Sequence, residues 1–181
     1  NIFTGVDPAS STKRGADFSV IFNIAVDYDG NRFVLPYYRK RATPLDLADS
    51  IITNFKVNRS AKTRIESVGY QEMLRQYIKE KSADEGLFIP GLEIKENPRT
   101  SKSYRLESLQ PLFAQGNVFI QKSMQALLDE LLLYPRGKHD DLLDGFFYAN
   151  KNCYKPTHDG ADMDLEYDDY YEYQPKNWKI A

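Results

Sequence analysis

Three segments of β character come before every helical segment in this chain, and that order is the strongest constraint on its fold. Residues 2–9 (IFTGVDPA) read as a short buried strand ending in Asp7-Pro8, and residues 17–27 (DFSVIFNIAVD) as a β-rich run with partial alternation. The loop between them, Ser10-Ser11-Thr12-Lys13-Arg14-Gly15, is polar and closed by glycine. Tyr28-Asp29-Gly30-Asn31 then supplies a hairpin turn, because Asp-Gly and Gly-Asn reach positive φ at little cost. Residues 32–38 (RFVLPYY) return as the third strand, with Pro36 marking an edge or a bulge since it cannot donate to a ladder.

After this meander the hydrophobic period changes. Thr43 is placed to cap a helix that has Pro44 at its first position and an apolar face of Leu45, Leu47, Ala48, Ile51, Ile52 and Phe55. Residues 62–67 read as a strand ending near Glu66, and 69–81 as a helix with Tyr70, Met73, Leu74, Tyr77 and Ile78 on one side. A strand is expected over 87–94, a helix over 101–114 capped by Ser101 or Ser103, a strand over 117–121, and helices over 123–134 and 139–151. A three-stranded meander followed by alternating helices and strands gives an α/β fold, a mixed β-sheet flanked by helices. The reading divides the chain into a domain over 1–154 and an acidic, Tyr-rich tail over 155–181, loosely ordered or packed as an extended arm.

Composition excludes several classes. No apolar run approaches the ~18–20 residues that span a bilayer, so no membrane role is expected. A basic leader followed by an apolar stretch is missing at the start of the sequence. The one cysteine, Cys153, cannot form an intrachain disulfide and lacks neighbours of zinc-site type, so it is read as inert, in a reducing compartment. The sequence opens without Met on a segment of strand character and is taken as a piece of a longer polypeptide. Net charge is −2, but of the 26 acids and 24 bases, residues 155–181 hold seven and three. The remaining 19 acids and 21 bases make the body mildly basic, which points weakly to a nucleic-acid-facing surface.

The acids stand where chemistry could gather them. Asp7 ends the first strand, Glu66 ends another, and Asp140, Asp141 and Asp144 open the last helix. Adjacent strand ends lie ~4.8 Å apart, so carboxylates there can converge, and a nearby helix start can bring a third. Each acid alone is equally well a turn or capping residue. Asp141 and Asp144, or Asp140 and Asp144, share a helix face at spacings where like charges repel, beside the apolar Leu142, Leu143, Phe146 and Phe147. A cluster of this kind suits hard divalent ions such as Mg²⁺, and a pair of them ~3.5–4 Å apart suits phosphodiester hydrolysis. His139 could ligate a metal or move a proton, and is assigned a supporting role, while His158 in the tail is read as surface.

These residues resemble the nuclease domain of tailed-bacteriophage terminase large subunits. Gly5-Val6-Asp7-Pro8-Ala9 is similar to its first catalytic strand, and Glu66-Ser67-Val68-Gly69-Tyr70-Gln71 to its second acidic motif. Lys102 to Phe113, with Arg105, resembles the family's Lys-x-x-Arg helix, and Gly116-Asn117-Val118 the strand that follows. The most specific match is Tyr134-Pro135-x-Gly137-x-His139-Asp140-Asp141-Leu142-x-Asp144-Gly145, which resembles the third motif, with Gly145 where the family often has Ala, a departure read as harmless. The resemblance covers residues 1 to about 152 in order. It implies an RNase H-like fold, and an endonuclease cutting concatemeric viral DNA during genome packaging. It implies two Mg²⁺ or Mn²⁺ ions held by Asp7, Glu66 and Asp141, with Asp140 or Asp144 as a further ligand. The partners it implies are double-stranded DNA, an upstream packaging ATPase domain, the portal and the small terminase subunit, in the cytoplasm of an infected bacterial host. Lys13, Arg14, Lys102, Arg105, Arg136 and Lys138 are candidate phosphate contacts.

Three other readings compete. A junction resolvase or transposase-like enzyme would share the acidic cluster, and a non-catalytic DNA-binding or motor-docking module would share the fold. An actin- or sugar-kinase-like nucleotide fold also opens on a strand bearing Asp, but it needs small residues after that Asp, and here Pro8 follows.

Overall fold

The computed structural model describes residues 1–9, 17–66, 71–92, 104, 107–151, 153–157 and 178–180. In chain order its elements are β1 (Ile2–Asp7), β2 (Ser19–Val26), β3 (Arg32–Val34), β4 (Tyr38–Lys40), α1 (Pro44–Asn58), β5 (Lys62–Ile65), α2 (Gln71–Asp84), α3 (Gln110–Ala114), β6 (Val118–Gln121), α4 (Gln125–Leu133), α5 (Asp141–Asn150) and β7 (Trp178–Ile180). The strands form one mixed sheet in the order β5-β1-β2-β3-β6-β7, with β4 also paired to β2. β1 runs antiparallel to β2 and parallel to β5. This is the expected mixed sheet flanked by helices. Among the described residues, no helix is long and apolar enough to cross a membrane.

The meander forms as its turn chemistry dictates. Gly30 takes φ +90°, and Asp27 accepts from the backbone N–H and the side-chain amide of Asn31 to close the hairpin. The return strand is broken in two at Leu35-Pro36-Tyr37, so that β3 and β4 pair with opposite ends of β2. Pro36 cannot donate to the ladder, and its carbonyl instead accepts from Asn23 Nδ2 at 3.0 Å. Thr43 caps α1 as expected, its side chain accepting from Asp46 N.

Two expectations fail for identifiable reasons. Residues 87–92 form no strand: Pro90-Gly91 makes a turn with Gly91 at φ +92°, and a Cβ there would stand 2.8 Å from Thr63 O. The turn lies along β5 by one bond, Thr63 N to Pro90 O, while residues 93 and 94 lie outside the described set. No single helix runs to residue 114 either. Tyr104 and Glu107 are helical, but a turn at 108–109 precedes α3. Pro111 explains the break, since proline fits the first turn of a helix and clashes inside one, so a new helix starts around it. Ser101 and Ser103, the proposed caps, are outside the described residues.

The sheet separates two apolar cores. Leu127, Leu142, Leu143, Phe146 and Ala149 cover one face with Phe3, Val20, Phe22 and Ile24 from the strands. On the other, Leu47, Ile51, Ile52, Phe55, Leu74 and Ile78 pack on Val6, Ile21 and Ile65. Register places Phe3, Gly5 and Asp7 opposite Ile24, Phe22 and Val20. Alternation then turns Asp7 towards the face covered by α5.

Candidate active site

Two glycines bring α5 onto the end of β1. A Cβ at Gly5 would lie 2.3 Å from both Ala149 N and Gly145 O, so the helix backbone rests directly on the strand. A Cβ at Gly145 would meet Val20 Cγ1 at 2.7 Å and Phe22 Cβ at 3.1 Å. At position 145, where the family often has Ala, the absent Cβ leaves room for the Val20 methyl. The crossing sets the first turn of α5, with Asp141 and Asp144, over the C-terminal end of β1.

The parallel pairing of β1 and β5 does the same for Glu66, whose N–H donates to Val6 O at 3.1 Å in the next step of the ladder. Buried Arg75 from α2 donates to the carbonyl of Ile65, the residue before it, and Tyr148 Oη donates to Glu66 Oε1. Ser19 Oγ accepts from Ala9 N, fixing the chain just beyond Asp7. The Asp7 carboxyl is held well above the usual carboxylate range, first by burial, then by its hydrogen bond to Glu66 and by the negative charges of Glu66, Asp144 and Asp141. A cation joining the group would act against each of these effects.

Asp141 sits between this cluster and a second set of groups. Its Oδ2 accepts from Phe18 N at 3.4 Å, and lies 3.6 Å from Arg39 Nη2 and 3.8 Å from His139 Nδ1. Burial raises its pKa, and the Phe18 bond, Arg39 and His139 counter that. Arg39 also pairs with Glu130 Oε1 at 2.9 Å and lies over the Phe18 ring at 4.3 Å, with Arg41 against the same ring at 4.1 Å. Glu130 is almost fully buried in α4, and its Oε2 accepts from Leu142 N at 2.9 Å. It thus caps α5 from a distance, a task that the side chain of Asp140, at the N-cap position, leaves undone. Burial pushes Glu130 up to about 7, against the opposing pull of Arg39. Asp17, His139 and Asp141 also offer ligand atoms within 4.8 Å of one another. Asp17 is exposed there, whereas Asp141 and Asp144 are buried and Asp7 and Glu66 half-buried.

Of the acids singled out in the sequence, Glu66, Asp144 and Asp141 are thus brought within electrostatic reach of Asp7. Asp140 is half-buried just outside α5, its carbonyl accepting from Asp144 N. His139 lies beside Asp141, edge-on to Phe18. Arg136 and Lys138 are exposed in the loop leading into α5. Lys13, Arg14, Lys102 and Arg105 lie outside the described residues. Arg39, Glu130, Tyr148 and Asp17 were not singled out. Glu130 had a visible signal, an acid three residues after Leu127 on the inward face of an apolar helix. Cys153 is pushed up to about 12 by burial, so it stays a thiol near neutral pH, consistent with an inert role.

The donors around Asp7 are all carboxylate oxygens, the kind a hard divalent ion takes, and among the described residues those of Asp141, with Asp17 and His139, already stand at metal-holding distance from one another, so the residues fit such a metal. Known proteins agree with the fold. The chain is similar to the large terminase nuclease of thermophilic phage G20c with bound zinc, at 18% identity over 85% of this chain and 83% of that one, with a TM-score of 0.58. The same nuclease with bound magnesium gives 19% identity, 86% and 83% coverage, and a TM-score of 0.57. The yeast mitochondrial Holliday junction resolvase Ydc2 gives 14% identity, 81% and 76% coverage, and 0.50. No curated protein sequence matches the chain. The family model of the terminase RNaseH-like domain matches residues 4–152, from β1 to the end of α5. With both acid-bearing strand ends and the acid-bearing helix inside that match, this chain belongs to the terminase RNaseH-like domain family, and its fold is that of an RNase H-like nuclease.

Proposed function

We propose that this chain is a metal-dependent endonuclease that cuts concatemeric viral double-stranded DNA during genome packaging. The observation that carries the reading is the family match over the elements that bear Asp7, Glu66, Asp141 and Asp144, with the charges of Glu66, Asp144 and Asp141 all acting on Asp7. These four would hold two Mg²⁺ or Mn²⁺ ions, with Asp144 and not Asp140 as the added ligand, because Asp144 is buried within the first turn of α5 and acts on Asp7, whereas Asp140 is half-buried outside the helix. Bound there, the ions supply activation of the attacking water and neutralisation of phosphate charge. The protein's own groups do the rest. Tyr148 orients Glu66, the Phe18 N–H orients Asp141, and His139 stands beside Asp141 as an orienting or proton-carrying side chain. Arg136 and Lys138, exposed at the entrance to α5, would contact DNA phosphates, together with Lys13, Arg14, Lys102 and Arg105.

On this reading residues 1–154 form the nuclease domain and 155–181 a tail. An upstream ATPase domain, the portal and the small terminase subunit are the partners, and the host cytoplasm is the setting. A resolvase-like alternative draws on the likeness to Ydc2 and predicts a preference for branched DNA.

The deciding experiment is nicking of supercoiled plasmid, beside a four-way junction, with EDTA, Mg²⁺ or Mn²⁺. Cutting of plain duplex that stops in EDTA and returns with either ion is expected. Undiminished cutting in excess chelator overturns the metal reading, and cutting confined to the junction favours the resolvase. Within α5, Asp141→Ala should be dead and Asp144→Ala severely impaired, with Asp140→Ala the mildest. Near wild-type cutting by Asp141→Ala moves the ligand to its neighbours.

A further inference from the structure

We propose that Glu130 is a positioning residue that holds Arg39 away from Asp141, keeping the Asp141 carboxylate available to a divalent cation. The inference rests on the reading of Asp141 as a metal ligand. Arg39 Nη2 stands between two buried carboxylates, 2.9 Å from Glu130 and 3.6 Å from Asp141. The shorter contact is with Glu130. A guanidinium that closed on Asp141 would compete with any cation for the same oxygen, since a side-chain cation at contact distance does electrostatically what a metal ion does.

Glu130 is built for that task. It is 6% exposed, and its second oxygen is fixed by the backbone N–H of Leu142, the residue after Asp141. One carboxylate therefore sets both the start of the helix that carries the ligand and the position of the competing cation. Arg39 is confined from its flat side by the Phe18 ring, whose own backbone N–H donates to Asp141. The two acids are the charged groups that its Nη2 reaches. Stability alone gives little reason for a buried ion pair here, because apolar side chains of similar volume generally serve as well or better.

The inference separates Glu130 from a merely structural acid by the sign of a double substitution. In Glu130→Gln the amide oxygen can still accept from Leu142, but Arg39 loses its anionic partner and turns to Asp141. Mn²⁺ binding, measured by calorimetry on the metal alone at pH 8, should weaken by about 10–100-fold, the range of outer-shell changes. Adding Arg39→Gln should restore most of that loss. Arg39→Gln by itself should bind Mn²⁺ at least as tightly as wild type, an arm that decides the matter even if Glu130→Gln fails to fold.

Wild-type affinity in Glu130→Gln, a defect that the second substitution leaves in place, or weakened binding in Arg39→Gln overturns the proposal. Asp141→Asn serves as the control for the reading beneath it. If that variant binds Mn²⁺ like wild type, both the ligand assignment and the proposal fall. If it is defective while Glu130→Gln is normal, the proposal alone falls.

Discussion

The two faces of β1 and β2 both bury polar side chains, and they do so in opposite ways. On the face packed by α1, Thr4 Oγ1 donates to Asn23 Oδ1 at 2.8 Å, Asn23 and Asn54 exchange amide bonds at 2.9 and 3.0 Å, and Asn58 donates to Asn54 Oδ1 at 2.9 Å. These are neutral groups whose donors and acceptors match. On the face packed by α5, at the end of the same strands, the groups are carboxylates, and the charges of Glu66, Asp144 and Asp141 push the Asp7 carboxyl up. A matched neutral network is what a fold needs in order to bury polar atoms. A cluster of like charges costs folding energy and makes sense only when something positive joins it. The contrast teaches that burial of polar residues marks function where the groups repel and structure where they pair.

The largest expected effect breaks that contrast at the charged face. Asp7→Asn should lower the cleavage rate by at least about 10³-fold, roughly 4 kcal/mol of transition-state stabilisation. It should leave the fold intact and raise the melting temperature in EDTA, because it removes one of several repelling carboxylates. Single-turnover cleavage together with calorimetric melting reads both. A large loss of metal-free stability would make Asp7 a structural residue and erase the difference between the faces.

Next in size is the contact that assembles the charged face. Gly5→Ala would drive a Cβ into the backbone of α5 at 2.3 Å, which only a shift of the helix can relieve. Overpacking of this kind costs about 3 kcal/mol or more, and it should move Asp144 off Asp7 as well. Gly145→Ala meets a Val20 methyl instead, and the gain in helix propensity of about 1 kcal/mol partly offsets the clash. Denaturant melts should therefore rank Gly5→Ala well below Gly145→Ala, and equal stability of the two would refute the close crossing.

The neutral face should answer differently. Asn23→Ala strands partners in Thr4, Asn54 and the Pro36 carbonyl, at a cost of about 2 kcal/mol, or ~4–8 °C in melting temperature for a chain of this size. Metal-dependent cutting by the folded fraction at 20 °C should stay within about twofold of wild type. A loss of cutting beyond the loss of folded protein would mean that the two faces are coupled.

How much of this was legible in the sequence follows from what each feature depends on. The meander, the Thr43 cap and the acids at strand ends rest on local signals such as Asp-Gly turns, apolar periods and Thr-Pro starts, and these were readable. The 87–94 segment has strand-like hydrophobicity, but Pro90-Gly91 overrides it over the described residues 87–92 by turning the chain. Pro111 likewise stood in plain view inside the expected helix. Arg39 and Glu130 were hidden for a different reason. Their pairing joins β4 to α4 across ~90 positions of chain, and nothing local distinguishes Arg39 from Lys40 or Arg41 beside it. Strand alternation puts Arg39 on the same row as Asp7 through Val20, but that register follows from the break at Pro36 and is visible only once the sheet is formed.

The smallest expected effect is a pH dependence, and it sharpens the contrast most. The folded-state pKa of Asp7 is raised, so its protonated form is the one that folding favours. The stability tied to it is complete below the unfolded value near 3.8 and is lost as pH rises through the folded value. Without metal, wild type should therefore gain stability as pH falls from 8 towards 5, and Asp7→Asn should lack that share of the gain. Glu130, raised to about 7, contributes in the same direction, but it is present in both proteins and cancels in their difference. The excess melting temperature of Asp7→Asn over wild type in EDTA should thus be widest at pH 8 and shrink on acidification. Asn23→Ala carries no titrating group, so its deficit should stay level over the same range. With Mn²⁺ the sign reverses for wild type, because ligands must shed protons to bind metal, and the stabilisation it brings should fade as pH falls. Differential scanning fluorimetry from pH 5 to 8, with and without Mn²⁺, follows all three. A pH-independent gap between Asp7→Asn and wild type in EDTA would mean that Asp7 is ionised and stably partnered in the apo fold, and that the charged face, like the neutral one, is already satisfied without a metal.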